Sequence, residues 1–186
     1  MRVAVFCGSS HGNDPVYEQS ARAMGRALAE GGHTLVYGGG KVGLMGVVAD
    51  TVLEHGGEVI GVIPRMLKER EVAHEGVTEL FVVEDMHERK GRMNSLAKAF
   101  IAMPGGPGTL EEIFEAWTWA QLGYHEKPCA FYNVAGYYDP LLAFMDTMRD
   151  REFLKPHYRD MLIVSDDPST ILSRFETYSS PQAKWR

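Results

Sequence analysis

Residues 99 to 122 read AFIAMPGGPGTLEEIFEAWTWAQL, and this stretch decides the fold. The apolar residues 100–103 predict a buried strand, which Pro104 ends because proline has no amide hydrogen for a sheet ladder. Three glycines follow, and Thr109 is then predicted to cap a helix. The apolar residues of that helix recur at helical spacing: Leu110, Ile113, Phe114 and Trp117. A strand, a glycine loop and a helix in this order present backbone N–H groups to an anion, usually a phosphate.

Strands and helices alternate along the rest of the chain. Apolar runs predict six further strands, at residues 3–7, 34–37, 58–63, 79–83, 128–132 and 161–164. Helices are predicted between them, with Asp14 and Asp85 as N-caps, while residues 65–78 are predicted to be loop with one helical turn at most. This alternation predicts an α/β fold of three layers, Rossmann-like, with a mostly parallel sheet and helices on both faces. Residues 1–186 are predicted to form one domain, with a frayed tail from about residue 179.

Three loops rich in glycine or serine follow three of the predicted strands, at residues 8–10, 38–43 and 105–109. In a parallel sheet the carboxyl ends of the strands meet at one edge, where ligands bind. We therefore expect the three loops to line one crevice.

The middle loop carries Gly38, Gly40 and Gly43 at the spacing G-x-G-x-x-G. In dinucleotide-binding proteins this pattern follows the first strand, and an acidic residue ends the next strand. Here it follows the second strand, and the third ends in Ile-Pro-Arg at residues 63–65. A nicotinamide or flavin site is therefore disfavoured, and a tight turn or a contact to a mononucleotide both stay open.

Arg89 and Lys90 break two local rules in the helix after the fourth strand. They fall on its apolar stripe, and a cation in the first turns opposes the helix dipole. Such violations tend to occur at functional sites. An anionic ligand in the crevice would compensate for them; alternatively, the two side chains extend to solvent or pair with nearby acids such as Glu84 and Glu88.

Glu111, Glu112 and Glu115 lie in the helix after the glycine loop. Thr109 and Glu112 have the spacing of a capping box, in which the Glu112 carboxylate accepts from the Thr109 amide. A carboxylate beside a phosphate loop is also well placed to face a bound sugar. Acids in the first turn are electrostatically favoured in any helix, so both interpretations stay open.

Composition narrows the possible functions further. A net charge of -6 gives no general attraction to nucleic acid, and the N-terminal apolar run is too short for a signal peptide or a membrane span. Cys7 and Cys129 lie in apolar runs and are predicted to be buried thiols, which favours a reducing, cytoplasmic location. The seven histidines show no metal-ligand spacing, so no metal site is predicted. The pair Tyr137 and Tyr138 is assigned to packing.

Three segments resemble the LOG ("LONELY GUY") family of cytokinin riboside 5'-monophosphate phosphoribohydrolases: MHERKGRM at 86–93, PGGPGTLEE at 104–112 and TWAQLG at 118–123. The family pattern P-G-G-x-G-T-x-x-E is matched at every fixed position, and the similarity covers most of the chain. The resemblance implies hydrolysis of the N-glycosidic bond of AMP or of N6-substituted adenosine 5'-monophosphates to free base and ribose 5-phosphate. It also implies that no cofactor is needed and that the protein is a homodimer.

By this resemblance Arg89 and Glu112 correspond to the catalytic residues. The positions that contact the nucleotide correspond to Glu71, Arg89, Lys90, Gly105, Gly106, Pro107, Gly108, Thr109, Leu110, Glu111 and Thr118. Pro107 has no N–H, so only neighbouring amides are available to a phosphate. Glu112 would stabilise positive charge on the ribose and orient the attacking water, while Arg89 would position the nucleotide and keep the carboxylates ionised.

Two other functions remain possible. In a nucleotide-binding regulator of the same fold, Arg89 and Glu112 would only hold the ligand and cap helices. In a pyridoxal-phosphate decarboxylase, Lys90 would carry the cofactor, and members of the family have often been labelled lysine decarboxylases. The second is disfavoured because no lysine lies in a recognisable Schiff-base setting.

Overall fold

The structure, a computed structural model, describes residues 1–70 and 72–181. Seven strands are present in this part of the chain: β1 Arg2–Phe6, β2 Thr34–Tyr37, β3 Val59–Pro64, β4 Glu79–Val83, β5 Ala99–Ala102, β6 Cys129–Tyr132 and β7 Leu162–Ser165. The helices are α1 Pro15–Glu30, α2 Gly43–Glu54, α3 Arg65–Glu69, α4 Met86–Leu96, α5 Pro107–Leu122, α6 Asp139–Asp150, α7 Pro156–Arg159 and α8 Pro168–Glu176. A 3-10 turn, Val134–Gly136, precedes α6.

The seven strands form one sheet in the order β4-β3-β2-β1-β5-β6-β7, and every pair of neighbouring strands is parallel. The chain builds the sheet outward from β1 to β4 and then returns to the other side of β1 with β5. Loops after β1 and β5 therefore leave the sheet in different directions and open a crevice between them. The predicted α/β fold with a parallel sheet is confirmed.

Alternate residues of the central strands face two separate cores. Val3 and Val5 of β1 pack with α1, α2 and α8, whereas Ala4 and Phe6 pack with α4, α5, α6 and α7. Because a strand turns successive side chains to opposite faces, an apolar run without alternation fits a sheet that is covered on both sides. The prediction of helices on both faces is confirmed.

The predicted helix starts are confirmed at Asp14 and Asp85, whose carboxylates accept from the amides of Val16 and Glu88 at 2.9 and 2.8 Å. The predicted N-cap Thr109 is wrong. The helix α5 begins three residues earlier than predicted, at Pro107, because proline is favoured in the first helical turn, and Gly106 is the N-cap. Accordingly, no side chain caps α5 within the described chain, so the predicted capping box does not form.

The expected helical turn within residues 65–78 is α3, whereas α7 was not predicted. Glu71 and residues 182–186, which include most of the tail predicted to fray, lie outside the described residues. Across the described ranges, no helix combines the length and the apolar character needed to cross a bilayer.

Gly25 lies where α1 and α2 approach each other closely. A Cβ atom there would lie 2.8 Å from Thr51 Cβ and 2.9 Å from the Val48 carbonyl oxygen. We predict that Gly25→Leu lowers the free energy of unfolding by about 1–3 kcal/mol through overpacking, as measured by urea denaturation. Ala23→Leu, on an exposed position of the same helix, is the matched control and should change stability little. Equal effects of the two substitutions would contradict the packing described here.

Candidate functional site

A cavity of about 330 Å³ lies at the carboxyl edge of the sheet. The three loops expected to meet there all contribute to it, which confirms that prediction. Its lining comprises Cys7, Gly8, Ser9, Gly38, Gly40, Val42, Met45, Ile63, Leu67, Val72, Met86, Arg89, Gly106, Pro107, Gly108, Thr109, Glu111 and Glu112. A second cavity of about 330 Å³ shares Gly8, Ser9 and Gly106 with the first and continues past Gly105 to Tyr137.

The start of α5 offers unused backbone donors to the first cavity. The amides of Gly106, Gly108 and Thr109 have no acceptor within residues 1–70 and 72–181, whereas the Leu110 amide donates to the Gly106 carbonyl at 3.3 Å. Donors at the start of a helix lack partners within the helix and lie at the positive end of its dipole. The loop can therefore bind an anion through three amides.

Two glycines allow this arrangement by close approach. A Cβ on Gly105 would overlap the Thr109 hydroxyl and lie 2.8 Å from the Gly8 amide nitrogen, so the loop folds tightly over the buried Thr109. A Cβ on Gly38 would overlap Nη2 of Arg89. The guanidinium group thus occupies the space that any other residue at position 38 would fill.

Arg89 is held at the cavity by groups from three elements. Its Nε donates to the Val62 carbonyl at 3.2 Å, and its Nη1 lies 3.3 Å from Oε1 of Glu112 and 3.8 Å from the sulfur of Met86. Its side chain is 12% exposed. Of the two alternatives considered for Arg89, extension to solvent does not hold, whereas pairing with an acid is observed, although not with Glu84 or Glu88. Its partner is an acid on another helix.

Glu112 is a nearly buried carboxylate, with 12% of its side chain exposed. Its Oε1 has no hydrogen-bond donor in the described chain, although the charge of Arg89 is close. Burial raises the pKa of Glu112 above its ordinary value, and the opposing charge of Arg89 does not outweigh this effect. Arg89 thus acts in the expected direction, because its charge lowers the pKa of Glu112, but burial has the larger effect and the net shift is upward. A carboxylate with a raised pKa in a cavity is suited to accept a proton.

Lys90 points to a different part of α5. Its Nζ lies 2.5 Å from Oε1 of Glu111 and 3.2 Å from Oε1 of Glu115, and its side chain is 16% exposed. The hydrogen bond to Glu111 raises the pKa of Lys90. A lysine that forms a Schiff base needs the opposite shift, so this environment argues against a role in carrying pyridoxal phosphate.

The G-x-G-x-x-G loop makes a tight turn. Gly43 has a φ of 57°, a left-handed conformation that favours glycine, and a Cβ there would overlap the backbone of Ser9 and Ser10. The interpretation as a turn with close packing is therefore supported. Gly38 and Gly40 also line the cavity, which leaves a ligand contact open to them.

The remaining predicted residues divide into three groups. Glu71 lies outside the described residues, and Leu110 packs against the core on the α5 side of the sheet. Thr118 is exposed on α5, about 13 Å along the helix from Thr109, and does not line the cavity.

Cys7 and Cys129 are buried free thiols, as predicted. Among the described residues, His, Cys, Asp and Glu side chains nowhere form a group of three suited to a metal ion.

Two features of the site were missed in the sequence. One wall of the cavity is apolar and comprises Met45, Ile63, Leu67, Val72 and Met86. These residues come from separate elements, so no periodic pattern marks them as a group. The second feature is the pair Tyr137 and Tyr138, whose hydroxyl groups reach the chain around the glycine loop instead of only packing.

Comparison with known proteins shows which family this sequence resembles. A family model described as "possible lysine decarboxylase" matches residues 45–175. The probable cytokinin riboside 5'-monophosphate phosphoribohydrolase LOGL2 of Oryza sativa subsp. japonica is 47% identical over 98% of this chain and 75% of its own length. The cytokinin riboside 5'-monophosphate phosphoribohydrolase LOG7 of Arabidopsis thaliana is 47% identical over 95% of this chain and 82% of its own length.

Solved structures show the same fold at low sequence identity. A molybdenum cofactor binding protein from the phototrophic bacterium Rippkaea orientalis superposes with a TM-score of 0.72 and 19% identity, covering 95% of both chains. The Moco carrier protein from Chlamydomonas reinhardtii superposes with a TM-score of 0.71 and 19% identity over the same shares. At this identity the likeness is informative about the fold alone.

The raised pKa of Glu112 predicts how stability changes with pH. Between the ordinary value of 4.5 and the raised value, the folded protein binds more protons at this group than the unfolded chain does. The free energy of unfolding, taken relative to that of Glu112→Gln, should therefore be highest below pH 4.5 and fall as the pH rises through this window. Urea denaturation of both proteins from about pH 4 to pH 7.5 measures this difference. A difference that is constant or grows with pH would contradict the upward shift.

Proposed function

The chain belongs to the LOG family of cytokinin riboside 5'-monophosphate phosphoribohydrolases, and from this premise we propose that it hydrolyses the N-glycosidic bond of adenosine 5'-monophosphates, with or without an N6 substituent. Water adds to C1' of the ribose, the bond to the base nitrogen breaks, and the products are free base and ribose 5-phosphate. The observation that carries the proposal is Glu112, a nearly buried carboxylate without a hydrogen bond, beside Arg89 and one turn from a row of free amides.

The 5'-phosphate is proposed to bind at the start of α5. The free amides of Gly106, Gly108 and Thr109 and the positive end of the helix dipole supply the attraction. This fixes one end of the substrate and leaves the ribose one helical turn further on, at the level of Glu112. Holding both reactants in place in this way supplies much of the rate enhancement in enzymes of many kinds.

At the ribose, Glu112 is proposed to act in two ways. As the N-glycosidic bond breaks, positive charge develops on the sugar, and a neighbouring carboxylate stabilises it. The same carboxylate accepts a proton from the attacking water, for which its raised pKa is favourable. Arg89 orients the carboxylate of Glu112 through their 3.3 Å contact. The Nη2 group of Arg89, which lies beside Gly38, remains available to donate to the substrate.

The apolar residues that line the cavity are proposed to face the base. Met45, Leu67 and Met86 offer flexible or branched hydrocarbon surface to the cavity. Such a surface gains free energy by burying a hydrocarbon substituent and offers little to the polar amino group of an unsubstituted adenine. We therefore propose that N6-alkylated nucleotides are preferred to AMP.

A nucleotide-binding regulator would use the same phosphate loop without chemistry. In that role Arg89 and Glu112 would only hold the ligand and cap helices, yet within the described chain no side chain caps α5. Incubation with AMP and with isopentenyladenosine 5'-monophosphate, followed by chromatography for free base, distinguishes the two functions.

We further propose that the protein is a cytoplasmic homodimer. Two buried free thiols, Cys7 and Cys129, are typical of a reducing compartment. Phe144 and Phe153 are 56% and 90% exposed, and exposed large apolar side chains are common where proteins associate. Thr118 lies outside the cavity of its own protomer, so its proposed contact with nucleotide would need a second copy.

Glu112→Gln should reduce release of free base from isopentenyladenosine 5'-monophosphate by roughly 10²–10⁴-fold, because the amide neither carries the charge nor accepts the proton. Initial rates of base release measured by chromatography test this. Glu115→Gln is the matched control, since Glu115 lies one turn further on and pairs with Lys90 outside the cavity. Its effect should be far smaller. Near-normal turnover by Glu112→Gln would show that the assigned role is wrong.

Gly38→Ala should reduce turnover on the order of 100-fold, since the new Cβ displaces the guanidinium group of Arg89 from its position beside Glu112. Gly91→Ala is the control: it lies on α4, close to Arg89, and a Cβ there meets no atom within 4 Å. Steady-state kinetics of both variants provide the measurement. Equal turnover of Gly38→Ala and Gly91→Ala would contradict the need for this close approach.

A further inference from the structure

Three successive carbonyl groups before α5 are held by donors from outside the glycine loop. The Tyr138 hydroxyl donates to the Met103 carbonyl at 2.6 Å, and the Tyr137 hydroxyl donates to the Gly105 carbonyl at 2.7 Å. Between them, the Gly8 amide donates to the carbonyl of residue 104 at 3.0 Å. The orientation of each peptide group in this stretch is thereby determined.

The bond from Tyr137 determines where the Gly106 amide points. The Gly105 carbonyl and the Gly106 N–H belong to one peptide group, which is planar and trans, so they point in opposite directions. Tyr137 approaches the carbonyl from the second cavity, whereas Gly106 borders both cavities. The Gly106 N–H is therefore directed away from Tyr137, and within the described chain it has no acceptor.

We propose that Tyr137 is a positioning residue for the phosphate subsite. Its hydroxyl holds the Gly105–Gly106 peptide group so that the Gly106 N–H faces the 5'-phosphate. The inference rests on the proposed function for the nature of the ligand, a sugar 5'-phosphate. A hydrogen bond to the carbonyl also polarises the peptide group and strengthens its N–H as a donor.

Two neighbouring tyrosine rings pack against the Tyr137 ring. It meets the rings of Tyr17 and Tyr138 edge-on, with centroids 5.8 and 4.9 Å apart. The preceding residues Ala135 and Gly136 have φ of 49° and 72°, a left-handed turn that brings the chain back towards the glycine loop. Such a conformation at a residue other than glycine is uncommon and is often found at functional sites.

Direct contact between the Tyr137 hydroxyl and the phosphate is the weaker alternative. A tyrosine hydroxyl has one proton to donate, and here the Gly105 carbonyl takes it. A phosphate near neutral pH offers mainly acceptor oxygens, so it would have to compete with that bond. Tyr137 therefore acts on the phosphate through the Gly106 amide.

Tyr137→Phe removes the hydroxyl and keeps the ring. Calorimetric titration with ribose 5-phosphate should show about three- to tenfold weaker binding, whereas binding of the free base should be unchanged. With the nucleotide, KM should rise by a similar factor while kcat stays within about twofold. Tyr124→Phe is the control, because Tyr124 is 77% exposed and lies beyond the far end of α5, about 24 Å along that helix from the loop.

Four outcomes separate the possibilities. If Tyr137→Phe binds ribose 5-phosphate more weakly but binds the free base as before, the proposal is supported. This holds even if neither the unmodified protein nor the variant releases base from nucleotides, in which case only the proposed function fails. Unchanged affinity for ribose 5-phosphate overturns the proposal while leaving the proposed function intact. Equal weakening of both ligands together with a lower Tm shows a merely structural role and overturns it. Failure of the unmodified protein to bind ribose 5-phosphate overturns both.

Discussion

The contact between Arg89 on α4 and Glu112 on α5 is the interaction on which the site depends. It joins a cation whose position opposes its own helix dipole to a carboxyl group whose pKa is raised by burial and lowered, to a smaller extent, by that cation. Neither group is favourable in its position alone, because an unpaired charge in a nearly buried cavity carries a large desolvation penalty. Because α4 and α5 bring the two groups within 3.3 Å of each other, each charge offsets part of the desolvation penalty of the other. The pair is left incompletely hydrogen-bonded, and this leaves it able to respond to a ligand.

Backbone proximity is the second requirement of this arrangement. Gly38 leaves room for the guanidinium group, and Gly105 lets the loop close over Thr109. With side chains at these positions the cavity would lose its cation and the helix start would move. The glycines of the two loops therefore have different roles beside the same cavity. Gly38 leaves space for the guanidinium group of Arg89, whereas Gly105 allows the loop to approach Gly8 and Thr109 closely.

The order of the strands brings these pieces together. Because β1 lies between β2 and β5, the loops that follow these three strands meet at one edge of the sheet. The outer surfaces of the sheet are covered by helices, so this edge is where a polar ligand meets the ends of several strands at once. Tyr137 and Tyr138 approach the same edge from the connection after β6 and hold the peptide groups of the glycine loop. The site is thus assembled from loops on both sides of β1.

The sequence by itself determined the α/β class, the parallel sheet and the loops that meet, since periodicity and motifs depend on neighbours along the chain. The assignment of Arg89 and Glu112 to catalysis follows only from the resemblance to the LOG family and stays a prediction. Only the tertiary structure decided that Pro107 and not Thr109 begins α5, and that Arg89 and Lys90 pair with acids of α5. It alone revealed the apolar wall and the role of Tyr137. These features join residues distant in the chain, and their contacts depend on strand order and helix packing, which no local pattern records.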